Sequence, residues 1–125
     1  MERFTITTPI YYANGKPHIG HAYTTIAADV LARLNKKSGK EVFFLTGTDE
    51  HGAKVAETAA GVGKEPQEFV DEIAQSFKEC WEKLDIEYSD FIRTTDERHE
   101  KGVQFALNKL KESGVIYEKT YKGLY

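Results

Sequence analysis

Residues 7–31 read TTPIYYANGKPHIGHAYTTIAADVL, and the fold turns on how this stretch divides. Just upstream, residues 3–8 (RFTITT) are rich in β-branched side chains and stop at Pro9, which predicts a strand. Residues 9–17 then predict a loop, with Asn14-Gly15 as its turn signal. From His18 onward, Ile19, Tyr23, Ile26, Ala27, Val30, Leu31 and Leu34 recur at the spacing of a helix. Arg33, Lys36 and Lys37 suit the negative end of its dipole, and Ser38-Gly39 ends it.

Working outward, residues 41–46 (EVFFLT) form a nearly continuous apolar run, as expected of a strand covered on both faces in a parallel sheet. Strand, helix and strand make a βαβ unit, whose crossover is right-handed in nearly all proteins. GTDEHG follows as a loop at the C-terminal end of the second strand, and residues 53–60 predict a short helix closed by Gly61 and Gly63. Pro66 suits a first helical position. Phe69, Ile73, Phe77, Trp81 and Leu84 then share one helical face and predict core, with Cys80 packing at its edge. Phe91-Ile92-Arg93 reads as a short strand. Asp96 is placed to cap a helix carrying Val103, Ala106, Leu107 and Leu110 and ended by Gly114. Residues 115–125 (VIYEKTYKGLY) alternate as a strand does.

The fold class expected is α/β: the N-terminal half of a Rossmann-like parallel sheet with flanking helices. Such a sheet needs more strands than these to close its core, so the expectation is the first part of a longer polypeptide. The 125 residues are 40% hydrophobic and 30% charged, with a net charge of −3, the balance of a soluble globular chain. No block of Lys and Arg marks a nucleic-acid surface, so any RNA contacts are expected mainly outside these residues. The single cysteine forms no internal disulfide, the N-terminus lacks a signal-peptide pattern, and no apolar run approaches the ~18 residues of a membrane span. A cytoplasmic chain with no membrane partner is the resulting expectation.

Chemistry gathers in two loops. A loop entering a helix meets unsatisfied N–H groups and a partial positive charge, which suits an anion. Gly20 allows close approach of a ligand to the backbone, and His18 and His21, three residues apart, can both face one bound group. Such a pair can stabilise charge developing on a phosphate. Spacing alone leaves other readings open: a capping or surface pair, or a metal pair, although no C-x-x-C or H-E-x-x-H accompanies it. Asp49 lies after the second strand, at the sheet edge where parallel folds bind ligands, and can offer a carboxylate to an ammonium or hydroxyl. A cap for the helix at Ala53, formed by Asp49 or Glu50, is the alternative. Tyr11 and Tyr12 can line a pocket or simply pack on the sheet.

Together, TTPIYYANGKPHIGHAYTTIAADVLAR and VFFLTGTDEHG resemble the N-terminal catalytic region of the methionyl-tRNA synthetases, a family of class I aminoacyl-tRNA synthetases. HIGH at 18–21 is the class I signature, shared with the leucyl, isoleucyl, valyl and cysteinyl enzymes, and its P-I-Y-Y-x-N-G-x-P context with F-L-T-G-T-D-E-H-G is much more specific to the methionyl type. The resemblance extends through DEIAQSFKECWEKLDIEYSDFIRTTDERH. It implies activation of methionine by ATP, with magnesium, to methionyl-adenylate, and transfer to the methionine tRNA. His18 and His21 match the histidines that stabilise the ATP phosphates; Asn14 and Gly20 match the ATP-facing segment. Asp49 matches the carboxylate that holds the methionine ammonium, and Ile10 and Tyr12 match residues lining the methionine pocket. By the same resemblance, residues 1–115 are the first part of the catalytic domain and 116–125 the start of a connective insertion. That insertion often carries a zinc knuckle, but no zinc ligands occur here and no metal site is assigned. The family's lysine-serine signature, of Lys-Met-Ser-Lys-Ser type, has no counterpart, so the chain alone is expected to be inactive or a poor enzyme. The alternatives are a small HxGH-type adenylyltransferase and a non-enzymatic module binding methionine or nucleotide.

Overall fold

In the computed structural model, which describes residues 1–120, seven elements follow one another. They are β1 (Arg3–Tyr12), α1 (Ile19–Lys37), β2 (Glu41–Asp49), α2 (Ala53–Gly61), α3 (Pro66–Lys83), β3 (Asp90–Arg93) and α4 (Glu97–Glu112). The chain divides into two compact units, Met1–Thr95 and Asp96–Tyr125.

The first unit holds a parallel sheet in the order β1-β2-β3. β2 is the central strand, but the expected cover on both faces is not found among the described residues: Phe44 is buried under the helices, whereas Phe43 is 45% exposed on the other face. Both of the first two strands exceed their sequence limits. β2 continues to Asp49, so Gly47, Thr48 and Asp49 belong to the strand and not to the following loop. β1 passes through Pro9 to Tyr12. Thr7 pairs with Leu45 and Ile10 with Gly47, so Thr8 and Pro9 together face Thr46 in a β-bulge. A bulge accepts proline because its missing N–H is not asked for by the ladder. The Thr8 and Thr46 hydroxyls close the bulge at 2.7 Å.

The bulge inverts the alternation of β1. Before it, Phe4, Ile6 and Thr8 are turned inward; after it, Tyr11 and Ala13 are. Thr5, Thr7, Ile10 and Tyr12 are exposed on the opposite face. The inward face carries the helices. Tyr11 stacks on Phe77 of α3 at 5.6 Å and packs with Val55 and Ala59 of α2, Phe91 of β3 and the fully enclosed Trp81.

α3 buries Phe69, Ile73, Phe77 and Trp81 as its periodicity requires, together with Val70 and Ala74. Leu84 departs from that stripe: it is the C-cap residue and remains partly exposed, because the helix has ended. α1 reverses expectation in another way. Its limits match the sequence, with Ser38 as C-cap and Gly39 at φ 83°. Its buried face, however, is Thr25, Ala28, Asp29 and Ala32, while Ile19, Tyr23, Ile26, Val30, Leu31 and Leu34 are exposed. Small residues bring this helix close to Phe44 of the sheet. The buried Asp29 is compensated by Arg33 Nε at 2.6 Å and the Glu87 N–H at 2.8 Å.

In the second unit, Asp96 is the N-cap of α4 but makes no side-chain cap bond, and no residue of the helix is buried. Residues 115–120 form no strand. Alternation needs a partner ladder to become one. The rest of that expected strand, 121–125, lies outside the described residues.

β2 and β3 approach closely at Gly47, where a Cβ would overlap the Ile92 carbonyl. Gly47→Ala is expected to cost about 3 kcal/mol or more, since backbone must move. Gly102→Ala, in α4 with open space around it, should instead stabilise by about 0.5–1 kcal/mol. Equilibrium unfolding in urea measures both.

Candidate functional site

The start of α1 is built by the two histidines themselves. His18 is the N-cap residue, with extended backbone. The Gly20 N–H donates to His18 Nδ1 at 3.1 Å, and the His18 N–H donates to His21 Nδ1 at 3.2 Å. This is a capping box in which imidazoles replace the usual hydroxyl and carboxylate. The rings stack with centroids 3.7 Å apart. The capping reading of the pair is therefore realised, and it is compatible with a ligand role. A backbone N–H only donates, so each Nδ1 is the unprotonated nitrogen and each Nε2 carries the ring N–H. The pair thus presents two Nε2–H donors. At Gly20 the space of a Cβ is taken by the His18 ring, with Cε1 3.0 Å and Nδ1 3.1 Å from it. Glycine here makes room for the histidine that caps the helix.

Tyr11 fixes the second ring from below. Its hydroxyl bonds Thr25 Oγ1 at 2.9 Å, and Thr25 Oγ1 donates to the His21 carbonyl at 3.0 Å. The Tyr11 and His21 rings lie 4.7 Å apart. Partial burial, and secondarily the charge of a protonated His18, lower the pKa of His21 below 6.5.

A groove of about 490 Å³ opens in front of these residues, lined by Pro9, Ile10, Tyr11, Tyr12, Asn14, Gly15, Lys16, His18 and His21. It brings together Ile10, Tyr12, Asn14 and both histidines. Gly20 and Asp49 are not in its lining. Asp49 lies beside it, opposite Tyr12 in the β1–β2 register. Ile10, Tyr12 and Asp49 share the sheet face away from the helices. Among the described residues, the Asp49 carboxylate has no hydrogen bond or ion pair. Neither Asp49 nor Glu50 caps α2, whose N-cap is Gly52.

Glu50, which the sequence offers only as an alternative helix cap, has a different role. Its side chain is wholly enclosed, and Arg93 grips it through Nε at 2.7 Å and Nη2 at 2.9 Å. The hydrogen bond to Glu50, and then that to Asp71, raise the pKa of Arg93. The bond from Arg93 in turn lowers that of Asp71. The signal was available in part: Glu50 directly follows β2, and Arg93 is the last residue of the parallel strand β3.

No group of three or more His, Cys, Asp or Glu side chains gathers to hold a metal ion among the described residues, and none of the described helices is long and apolar enough to cross a membrane.

Comparison with known proteins identifies the family. The family model for class I (M) tRNA synthetases matches residues 4–125. The methionine–tRNA ligase of Thermotoga maritima is 58% identical over 123 residues, which are 98% of this chain and 20% of that protein. The chloroplastic/mitochondrial methionine–tRNA ligase of Arabidopsis thaliana is 52% identical over 124 residues, 99% of this chain and 20% of its own length. A Mycobacterium tuberculosis methionyl-tRNA synthetase in complex with methionyl-adenylate superposes with a TM-score of 0.89 at 39% identity, covering 91% of this chain and 22% of that one. The chain thus spans about a fifth of the length of these relatives.

The capping box makes a spectroscopic prediction. In nitrogen-15 histidine spectra of the full-length protein at neutral pH, His21 should show the Nε2–H tautomer and titrate with a midpoint below 6.5. The folded pKa lies below the unfolded one, so the neutral ring's contribution to stability is present above 6.5 and lost as pH falls. His18→Ala should move the midpoint upward, because one of the two causes is removed.

Proposed function

This chain belongs to the class I (M) tRNA synthetases, and we propose that it supplies the phosphate- and methionine-binding half of a methionine–tRNA ligase active site. The observation that carries the reading is the stacked His18–His21 pair, two Nε2–H donors at a groove mouth beside Asp49, whose carboxylate has no partner among the described residues.

In this reading the methionine ammonium sits on Asp49, and its thioether side chain lies against Ile10 and Tyr12 on the open sheet face. ATP enters from the side of Asn14 and Gly20 with its triphosphate at the α1 terminus, bringing Mg2+ on its phosphates. A carboxylate oxygen of methionine attacks the α-phosphorus. The new O–P bond forms as the bond to the bridging β-phosphate oxygen breaks, and that electron pair leaves with pyrophosphate. The nucleophile belongs to the substrate, so the protein's work is positioning and charge stabilisation. Charge grows on the phosphate oxygens, and the Nε2–H donors of His18 and His21 meet it there. Because their Nδ1 atoms are already engaged by backbone N–H groups, the rings need no reorientation. Transfer to the terminal adenosine of the methionine tRNA follows, with most tRNA contacts outside these residues. The lone Cys80 accords with a cytoplasmic setting.

The test is methionine-dependent ATP–pyrophosphate exchange by the full-length protein carrying this chain. His21→Ala should lower the exchange rate about 100-fold or more, with a smaller effect on the KM for methionine. Asp49→Asn should instead raise that KM by about 10- to 100-fold, the loss of a charge-assisted contact worth about 1.5–3 kcal/mol. Exchange that is independent of methionine would overturn the reading.

A further inference from the structure

Two adjacent carboxylates stand at the end of β2, and they are treated in opposite ways. Glu50 is saturated. Its Oε1 accepts from Thr48 Oγ1 at 2.6 Å and Arg93 Nε at 2.7 Å, and its Oε2 accepts from Arg93 Nη2 at 2.9 Å and from the Thr95 hydroxyl. A carboxylate has about four acceptor sites, and all are filled. Asp49 has no such partner among the described residues.

The peptide unit between them is tied at both ends. Its carbonyl, on Asp49, accepts the Ala13 N–H at 2.9 Å from the β1 side. Its N–H, on Glu50, donates to Thr94 Oγ1 at 2.8 Å on the β3 side. The Thr94 N–H returns to the Thr48 carbonyl at 3.2 Å, and the His51 ring Nε2 lies 3.1 Å from the Thr94 carbonyl. Arg93 reaches on to Asp71 of α3. One peptide plane is thus held by the residues that directly follow β1 and β3, and the arginine that neutralises Glu50 anchors the β3 end to a helix.

We propose that Glu50 and Arg93 are positioning residues for the substrate's amino group. They fix the plane that aims Asp49, and they cancel the Glu50 charge so that the ammonium meets one available carboxylate, not two. The inference rests on the reading of Asp49 as the ammonium-binding residue. It goes beyond that reading by assigning the aim and the selectivity of the contact to a pair that never touches substrate.

The experiment uses methionine-dependent exchange by the full-length protein, with KM measured for both substrates. Arg93→Gln should raise the KM for methionine about tenfold or more, the effect of a misplaced contact, and leave the KM for ATP within about twofold. Arg93→Lys, which keeps the charge and loses the fork, should fall between it and wild type. If Arg93→Gln does not fold, the double variant Glu50→Gln/Arg93→Gln decides, because it leaves no buried charge unpaired; it too should raise the methionine KM selectively. An unchanged methionine KM, or equal rises for both substrates, would overturn the proposal. The controls separate the two levels. If Asp49→Asn leaves the methionine KM unchanged, the reading of Asp49 falls and the proposal falls with it. If Asp49→Asn raises it and the Arg93 variants do not, only the proposal falls.

Discussion

The β-bulge at Thr8 and Pro9 is the constraint on which the rest of the first unit depends. A strand alternates strictly, so Ile6 and Tyr11, five positions apart, would otherwise lie on opposite faces. Setting two residues against Thr46 brings both onto the helix side. The same shift sends Ile10 and Tyr12 to the open face beside Asp49. One extra residue thus divides the labour of a single strand: Tyr11 goes inward to support His21, and its two neighbours go outward toward the groove. The same residues paired without the bulge would exchange those roles and turn Tyr12 to the helix side.

The capping box extends this logic to the helix. Helix starts need acceptors for their first N–H groups, and serine, threonine, asparagine or aspartate usually supply them. Here the acceptors are the Nδ1 atoms of the residues that carry the candidate chemistry. Binding and folding therefore draw on opposite edges of the same rings. Protonating Nδ1 would convert an acceptor into a donor facing another donor, so an added proton at His21 works against the cap. The lowered pKa of His21 and the stacking on His18 act in the same direction.

What could be read from the sequence follows from how local each signal is. The limits of α1 and the inward stripe of α3 were legible because helix periodicity and capping are local. The βαβ order was legible because a β-branched run, a helical period and an apolar run follow one another, and the family motifs pointed to the groove. Pro9 was misread as a strand end because proline signals a break and a bulge identically; only the partner strand distinguishes them. The loop expected over GTDEHG begins too early, because Gly47 is a strand residue whose lack of a Cβ makes room for the Ile92 carbonyl. The outward apolar face of α1 could not be foreseen, since periodicity gives a helix its phase but not the neighbour that it meets. The pairing of Glu50 with Arg93 is hidden in the sequence for the same reason. The two lie 43 positions apart.

The chemistry of β2 changes along its length, and the change marks the end where ligands are received. Val42, Phe43, Phe44 and Leu45 give way to Thr46, Gly47, Thr48 and Asp49. Thr46 and Thr48 are as buried as Phe44, so the change is not one of exposure. A hydroxyl fills nearly the volume of a methyl but can satisfy a polar neighbour. A buried polar group left unsatisfied costs about 1–3 kcal/mol. Each buried threonine at this end serves such a neighbour: Thr46 meets Thr8, Thr48 meets Glu50, Thr25 meets Tyr11, and Thr94 receives the Glu50 N–H. An apolar core could not hold Glu50 or the tied peptide at the tip of β2 without leaving donors and acceptors unpaired. The threonines let the sheet interior turn polar before it reaches the surface, and on that polar end stand the histidines and Asp49.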